Sequence, residues 1–113
     1  MDILVVKSTT DQKEHAEQLA RLLVAERLAA CVQIVGPIQS VYRWQGEVTT
    51  AGEWQLWIKT RQTCWERLRQ TIIANHHYET PEILALPVSA GADDFLEWIK
   101  AETAPPKDAA GNG

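Results

Sequence analysis

The chain has 113 residues, 45% of them hydrophobic and 23% charged, which suits one domain with a packed core. A net charge of −4, a pI near 5.3 and scattered basic residues exclude the basic stripe of a nucleic-acid surface. No apolar run reaches the ~18 residues of a membrane span. Met1-Asp2-Ile3 lacks the basic region of a signal peptide, and Cys31 and Cys64 form no spaced framework, so a reduced, cytoplasmic protein is expected.

Ile3 to Val6 is a continuous apolar run, the pattern of a strand buried on both faces. Thr9-Thr10-Asp11 reads as its end. Asp11 and Glu14 have capping-box spacing, and the helix that follows, to about Leu28, puts Ala16, Leu19, Ala20 and Leu23 on one face. Ala30 to Val35 reads as a second strand. Gly36-Pro37 bends or bulges it, and pairing resumes from Ile38 to Trp44.

Gln45-Gly46 predicts a tight turn into a return strand from Glu47 to Thr60. There Trp54, Leu56 and Ile58 share one face, and Gln55, Trp57 and Lys59 the other. Ala51-Gly52 reads as an interruption roughly opposite Gly36-Pro37. Thr63 and Glu66 form a second capping-box pattern, and Trp65, Leu68 and Ile72 a second helical stripe. Glu82 to Val88 is the last strand, with Pro87 marking an edge or an end. A third helix from Ala92 to about Glu102 is predicted to bury Phe95, Trp98 and Ile99.

Residues 1–103 thus read as a single domain, and the patternless Pro/Gly/Ala segment 104–113 as a disordered tail. The fold class is α+β: a ferredoxin-like βαββαβ sandwich with an added C-terminal helix and a long central hairpin. About fourteen residues per hairpin arm give roughly 45 Å of strand at ~3.3 Å per residue. A domain of this size has a radius of gyration of only about 13 Å. The hairpin should therefore project, carrying Val41, Tyr42, Trp44 and Val48, which are costly to leave in water. A symmetric oligomer that pairs hairpins between subunits resolves this. A hairpin folded back at Gly36-Pro37 over its own sheet would do so without a partner.

The segment from Asn75 to Glu82 concentrates chemistry: two adjacent histidines, Tyr78, Glu79, and Pro81 followed by Glu82. Imidazole and carboxylate are common transition-metal ligands. In an extended loop, however, adjacent side chains point in opposite directions, so one ion would not take both His76 and His77 from one subunit. The plain alternative is a polar connector, with one histidine solvated and the other bonded to backbone at the helix end. Enzyme motifs are missing: there is no Gly-rich phosphate loop, no GxSxG and no HExxH, and no catalytic residue is assigned.

Several segments together resemble the CutA family of divalent-cation tolerance proteins. They are Leu28-Ala29-Ala30-Cys31-Val32, Tyr42-Arg43-Trp44-Gln45-Gly46-Glu47, Glu53 through Lys59-Thr60, His76 through Ile83, and Leu86-Pro87-Val88. The resemblance implies a homotrimer of ferredoxin-like subunits whose hairpins pair, and a link to tolerance of copper and other divalent metals. It also implies a likeness to PII signalling trimers, which bind ligands or partners in clefts between subunits.

On that resemblance the candidate metal ligands for copper or zinc are His76, His77 and Cys31, the last a soft thiolate suited to Cu(I). The plain reading of Cys31 is a small packing residue. Lys59, Tyr78, Glu79 and Glu82 become candidate cleft residues for a small ligand, with Lys59 and Arg43 supplying charge to an anion. Two positions depart from the family pattern: His77 stands where the family has Pro, and Lys7 where some bacterial members carry Cys.

Overall fold

The structure is a computed structural model that describes residues 2–103. The predicted tail lies outside the described residues. The order is β1 (Ile3–Thr10), α1 (Lys13–Ala25), β2 (Cys31–Trp44), β3 (Glu47–Arg61), a 3-10 turn Gln62–Cys64, α2 (Trp65–Ala74), β4 (Ile83–Pro87) and α3 (Asp93–Glu102). The four strands form one antiparallel sheet in the order β2-β3-β1-β4, the ferredoxin-like arrangement. Pro87 ends β4, which is an edge strand.

The period-2 pattern sorts the sheet into two faces. Leu4 and Val6 of β1 and Leu56 and Ile58 of β3 pack against Ala16, Leu19 and Leu23 of α1 and Leu68 and Ile72 of α2. The opposite face carries Val5, Lys7 and Thr9, which register with Lys59, Trp57 and Gln55. Helix α3 covers only one end of it, where Leu96 and Ile99 bury Ile3 and Ala30. Leu84 and Leu86 stay exposed.

Several local expectations fail, each for a physical reason. Thr9 and Thr10 do not break β1 but are its last two residues; both are buried, and β-branched side chains suit a strand. Neither capping box forms: Gln12 and Cys64 occupy the N-cap positions, and neither makes a side-chain cap bond. Asp11 bonds to His77 instead, and Glu66 to Arg69. Helix α1 stops at Ala25 rather than Leu28. Arg27 turns left-handed at φ 60°, and Leu28 N–H bonds back to Leu23 at 2.9 Å, satisfying helix-end carbonyls. The Arg27 guanidinium then caps α3, donating to Ala101 O at 2.6 Å and Glu102 O at 3.1 Å. In α3, Leu96 and Ile99 are the buried pair, while Phe95 and Trp98 stack in partial exposure with centroids 5.7 Å apart.

The bulge at Gly36-Pro37 is real, with a register shift between Val35↔Gln55 and Ile38↔Glu53. Ala51-Gly52 is no interruption; β3 runs unbroken through it, opposite Ser40 and Gln39. The residue opposite the bulge is Trp54. A Cβ on Gly36 would meet the Trp54 ring at 2.6 Å, so only glycine lets the two strands approach there. Gln45 (φ 52°) and Gly46 (φ 82°) make the left-handed turn at the tip.

Pairing of β1 with β3 ends at Thr10↔Trp54. The seven residues from Glu47 to Glu53 therefore pair with β2 alone, an overhang of about 23 Å at ~3.3 Å per residue. The molecule is accordingly long, 49 × 31 × 23 Å, with a radius of gyration of 15.1 Å. The hairpin is not folded back over its own sheet: Val41, Tyr42, Trp44 and Val48 are all exposed. None of the described helices is long and apolar enough to cross a membrane.

Candidate metal centre and adjoining cleft

The end of β1, the start of α1 and the end of α2 converge at one rim of the sheet, and three histidines meet there. His15 comes from α1; His76 and His77 come from the loop after α2. One ring nitrogen from each lies within 4.8 Å of the others. Ring centroids are 4.9 Å apart for His15–His76, 4.8 Å for His15–His77 and 5.3 Å for His76–His77. The expectation that adjacent histidines diverge is corrected: the His76 and His77 rings stack, and both lie against the His15 ring.

The hydrogen bonds fix the tautomers. A carbonyl only accepts, so His15 Nε2–H donates to Asn75 O at 2.8 Å and His76 Nε2–H donates to Thr9 O at 2.8 Å. His77 Nε2–H donates to Asp11 Oδ1 at 2.8 Å. In the neutral rings every Nδ1 is then a lone pair. That of His15 accepts from the Thr10 hydroxyl at 2.7 Å, and that of His76 from Tyr78 N–H at 3.0 Å. Burial lowers the His76 pKa. The Thr9 carbonyl opposes this, and charge on His15 or His77 would add to it.

His15 escaped the sequence reading. Its one signal was its place four residues before the buried Leu19, beside the apolar stripe of α1. Cys31, by contrast, lies apart from the cluster. It registers with Lys59, which registers with Val5, and the cluster is anchored at Thr9 and Thr10. Four residues along β1 amount to about 13 Å. Cys64 is buried, and its thiol donates to Thr103 O at 3.4 Å.

Tyr78 turns away from the histidine bonds toward the hairpin. Its hydroxyl donates to Glu53 Oε2 at 2.8 Å. Burial first, and then the Glu53 carboxylate, hold the Tyr78 proton well above the ordinary phenol range. The two residues sit in a cleft of about 510 Å³ between the hairpin and the loop, lined also by Thr9, Tyr42, Trp44, Glu79 and Glu82. Three of the four predicted cleft residues, Tyr78, Glu79 and Glu82, are thus brought together.

Lys59 is not with them. It bonds to Gln33 in a separate hollow of about 290 Å³ with Val5, Trp57 and Leu86. Arg43 is also absent from the cleft lining and donates to the Gly46 carbonyl. An anion would therefore meet carboxylates rather than cations in the cleft of one protomer. Lys7 holds Glu82 Oε2 at 3.2 Å.

The family model for the CutA1 divalent ion tolerance protein matches residues 4–102. The chain belongs to the CutA1 family. Its relatives include the chloroplastic protein CutA of Arabidopsis thaliana, 47% identical over 100 residues that span 88% of this chain and 55% of the relative. The divalent-cation tolerance protein CutA of Thermus thermophilus is 43% identical over 88% of this chain and 96% of its own length. The solved Cut A1 structure from that organism superposes with a TM-score of 0.88 at 42% identity, covering 90% of this chain and 99% of that one. Oryza sativa CutA1 gives 0.89 at 43% identity, covering 92% and 95%. The chain spans about half the length of the plant relatives it matches, 55% and 56%.

Proposed function

We propose that this chain is a metal-binding tolerance protein, not an enzyme, that works as a homotrimer and takes a divalent ion such as copper or zinc weakly at His15, His76 and His77. The observation that carries this is the convergence of three imidazole nitrogens within 4.8 Å. Two nitrogens each ~2.0 Å from a tetrahedral ion lie about 3.3 Å apart, so the cluster needs to contract only modestly. Each Nε2–H is already given to a carbonyl or carboxylate oxygen, the outer arrangement that orients metal-bound histidines. Ligation through Nδ1 would displace the Thr10 hydroxyl and the Tyr78 N–H, each worth about 1 kcal/mol, which keeps the affinity low. Membership in a family described by divalent-ion tolerance supports the same reading. His77, which stands where the resembled family pattern has Pro, adds a third imidazole to the cluster.

The trimer reading rests on the hairpin. A two-stranded ribbon is marginal alone in water, and this one extends past its sheet with Val41 64% and Val48 67% exposed. Pairing with other copies would cover it. We place the protein in a reducing, cytoplasmic setting, consistent with the free thiols of Cys31 and Cys64. Calorimetric titration of Zn(II) and Cu(II) into wild type, His15→Ala and the His76→Ala/His77→Ala pair tests the metal site. Saturable binding at a fixed ratio per subunit is expected in wild type only. Equal binding in all three proteins would remove the site.

A further inference from the structure

We propose, building on the metal reading of His15, His76 and His77, that an ion at this cluster loosens the anchoring of the long hairpin, with Tyr78 as the link. Tyr78 belongs to both places. Its N–H donates to His76 Nδ1 at 3.0 Å, and its ring lies against the His76 and His77 rings, with centroids 4.7 and 5.0 Å away. Its hydroxyl donates at 2.8 Å to Glu53 Oε2. Glu53 stands at the base of the overhang, one residue before Trp54, where pairing of β3 with β1 ends. Across from it is Ile38, where pairing resumes after the bulge. Among the described residues, no other side-chain hydrogen bond or ion pair joins residues 38–53 to the rest of the chain.

An ion cannot enter the cluster without moving this link. The three ring nitrogens lie within 4.8 Å of one another, whereas nitrogens ~2.0 Å from a tetrahedral ion are about 3.3 Å apart. His15 is held on α1, so closing the gap draws the His76 and His77 rings toward it by on the order of 1 Å. Ligation through Nδ1 also takes the lone pair that the Tyr78 N–H uses. Tyr78 therefore loses its backbone acceptor and the ring surface it packs on together. A 2.8 Å contact to Glu53 that lengthens by about 1 Å is no longer a hydrogen bond.

Glu53 turns that small movement into a change in the hairpin. It is only 8% exposed, and the Tyr78 hydroxyl is its one donor among the described residues. Without that donor a mostly buried carboxylate oxygen lacks a partner, which is unfavourable, and the strand around Glu53 must shift to regain water. Beyond Glu53 the overhang is two strands alone, and such a ribbon is marginal by itself. By linkage the effect is reciprocal: an ion that weakens the Tyr78–Glu53 contact binds more tightly once that contact is gone.

Two measurements on the assembled protein test this. Calorimetric titration of Zn(II) into wild type and Tyr78→Phe should show saturable binding in both, about fivefold tighter in the variant, at the low end of allosteric couplings. The substitution changes no charge and keeps the ring, and a merely damaged site would bind more weakly. Hydrogen exchange of wild type should quicken across residues 38–53 by a similar factor when Zn(II) saturates the cluster, with β1 unchanged. Equal or weaker binding in Tyr78→Phe, or hairpin exchange that Zn(II) leaves unchanged or slows, overturns the coupling and leaves the metal site standing. Absence of saturable Zn(II) binding in wild type overturns both. The exchange measurement needs no variant and decides alone where Tyr78→Phe fails to fold.

Discussion

Tyr78→Phe removes one hydroxyl and leaves the ring that packs beside His76 and His77. The hydroxyl donates at 2.8 Å to Glu53 Oε2, on a carboxylate that is 8% exposed. A hydrogen bond to a charged group contributes about 1.5–3 kcal/mol, and here the phenol donates to a carboxylate oxygen. The variant should lose about 2 kcal/mol. In urea, at fixed protomer concentration, that is a midpoint shift of roughly 1 M with an unchanged slope. A double-mutant cycle isolates the contact. In a Glu53→Gln background the acceptor is neutral, so the same deletion should cost only about 1 kcal/mol. Equal losses in both backgrounds would show that Glu53 does not feel the hydroxyl. A loss under about 0.5 kcal/mol would show that water replaces it freely.

Two further outcomes are expected. Burial lowers the His76 pKa below its ordinary value of 6.5, so the unfolded chain takes up the proton more readily. The stability this residue contributes is therefore complete above 6.5 and is lost as pH falls through the lower, folded value. Urea midpoints should decline on acidification in wild type and more shallowly in His76→Asn; parallel profiles would count against burial of the neutral ring. Val48→Asp changes a residue that is 67% exposed in the protomer, so the subunit should fold normally. In the proposed trimer it buries an unpaired charge, and sedimentation should show assembly weakened by about a hundredfold or more. An undisturbed trimer would move the interface off this hairpin position.

The element order and most of the architecture were legible from periodicity. Leu56 and Ile58 alternate with Trp57 and Lys59 because a strand shows every second residue to the same face, and that separation is local. The length of the hairpin arms, with Gln45-Gly46 between them, already pointed to a hairpin that outruns its domain, and the structure decided this against one folded back at Gly36-Pro37. Caps were not legible. Asp11 and Glu66 had suitable spacing, but each found a partner, His77 or Arg69, that the capping pattern does not consider.

The site divides along the same line. His76, His77, Tyr78, Glu79 and Glu82 were legible because they crowd one short polar loop. His15 was not, since nothing local joins it to residues about sixty positions later; the docking of α1 against the end of α2 does. Nor could the sequence separate Lys59 from Glu79. Strand register decided this, and register depends on where β1 stops and where Gly36-Pro37 shifts the pairing. The sequence by itself determined the order, period and length of the elements, because those follow from side chains a few residues apart. The tertiary structure alone decided which histidines meet and what charge the cleft carries, because both depend on side chains brought together from distant parts of the chain.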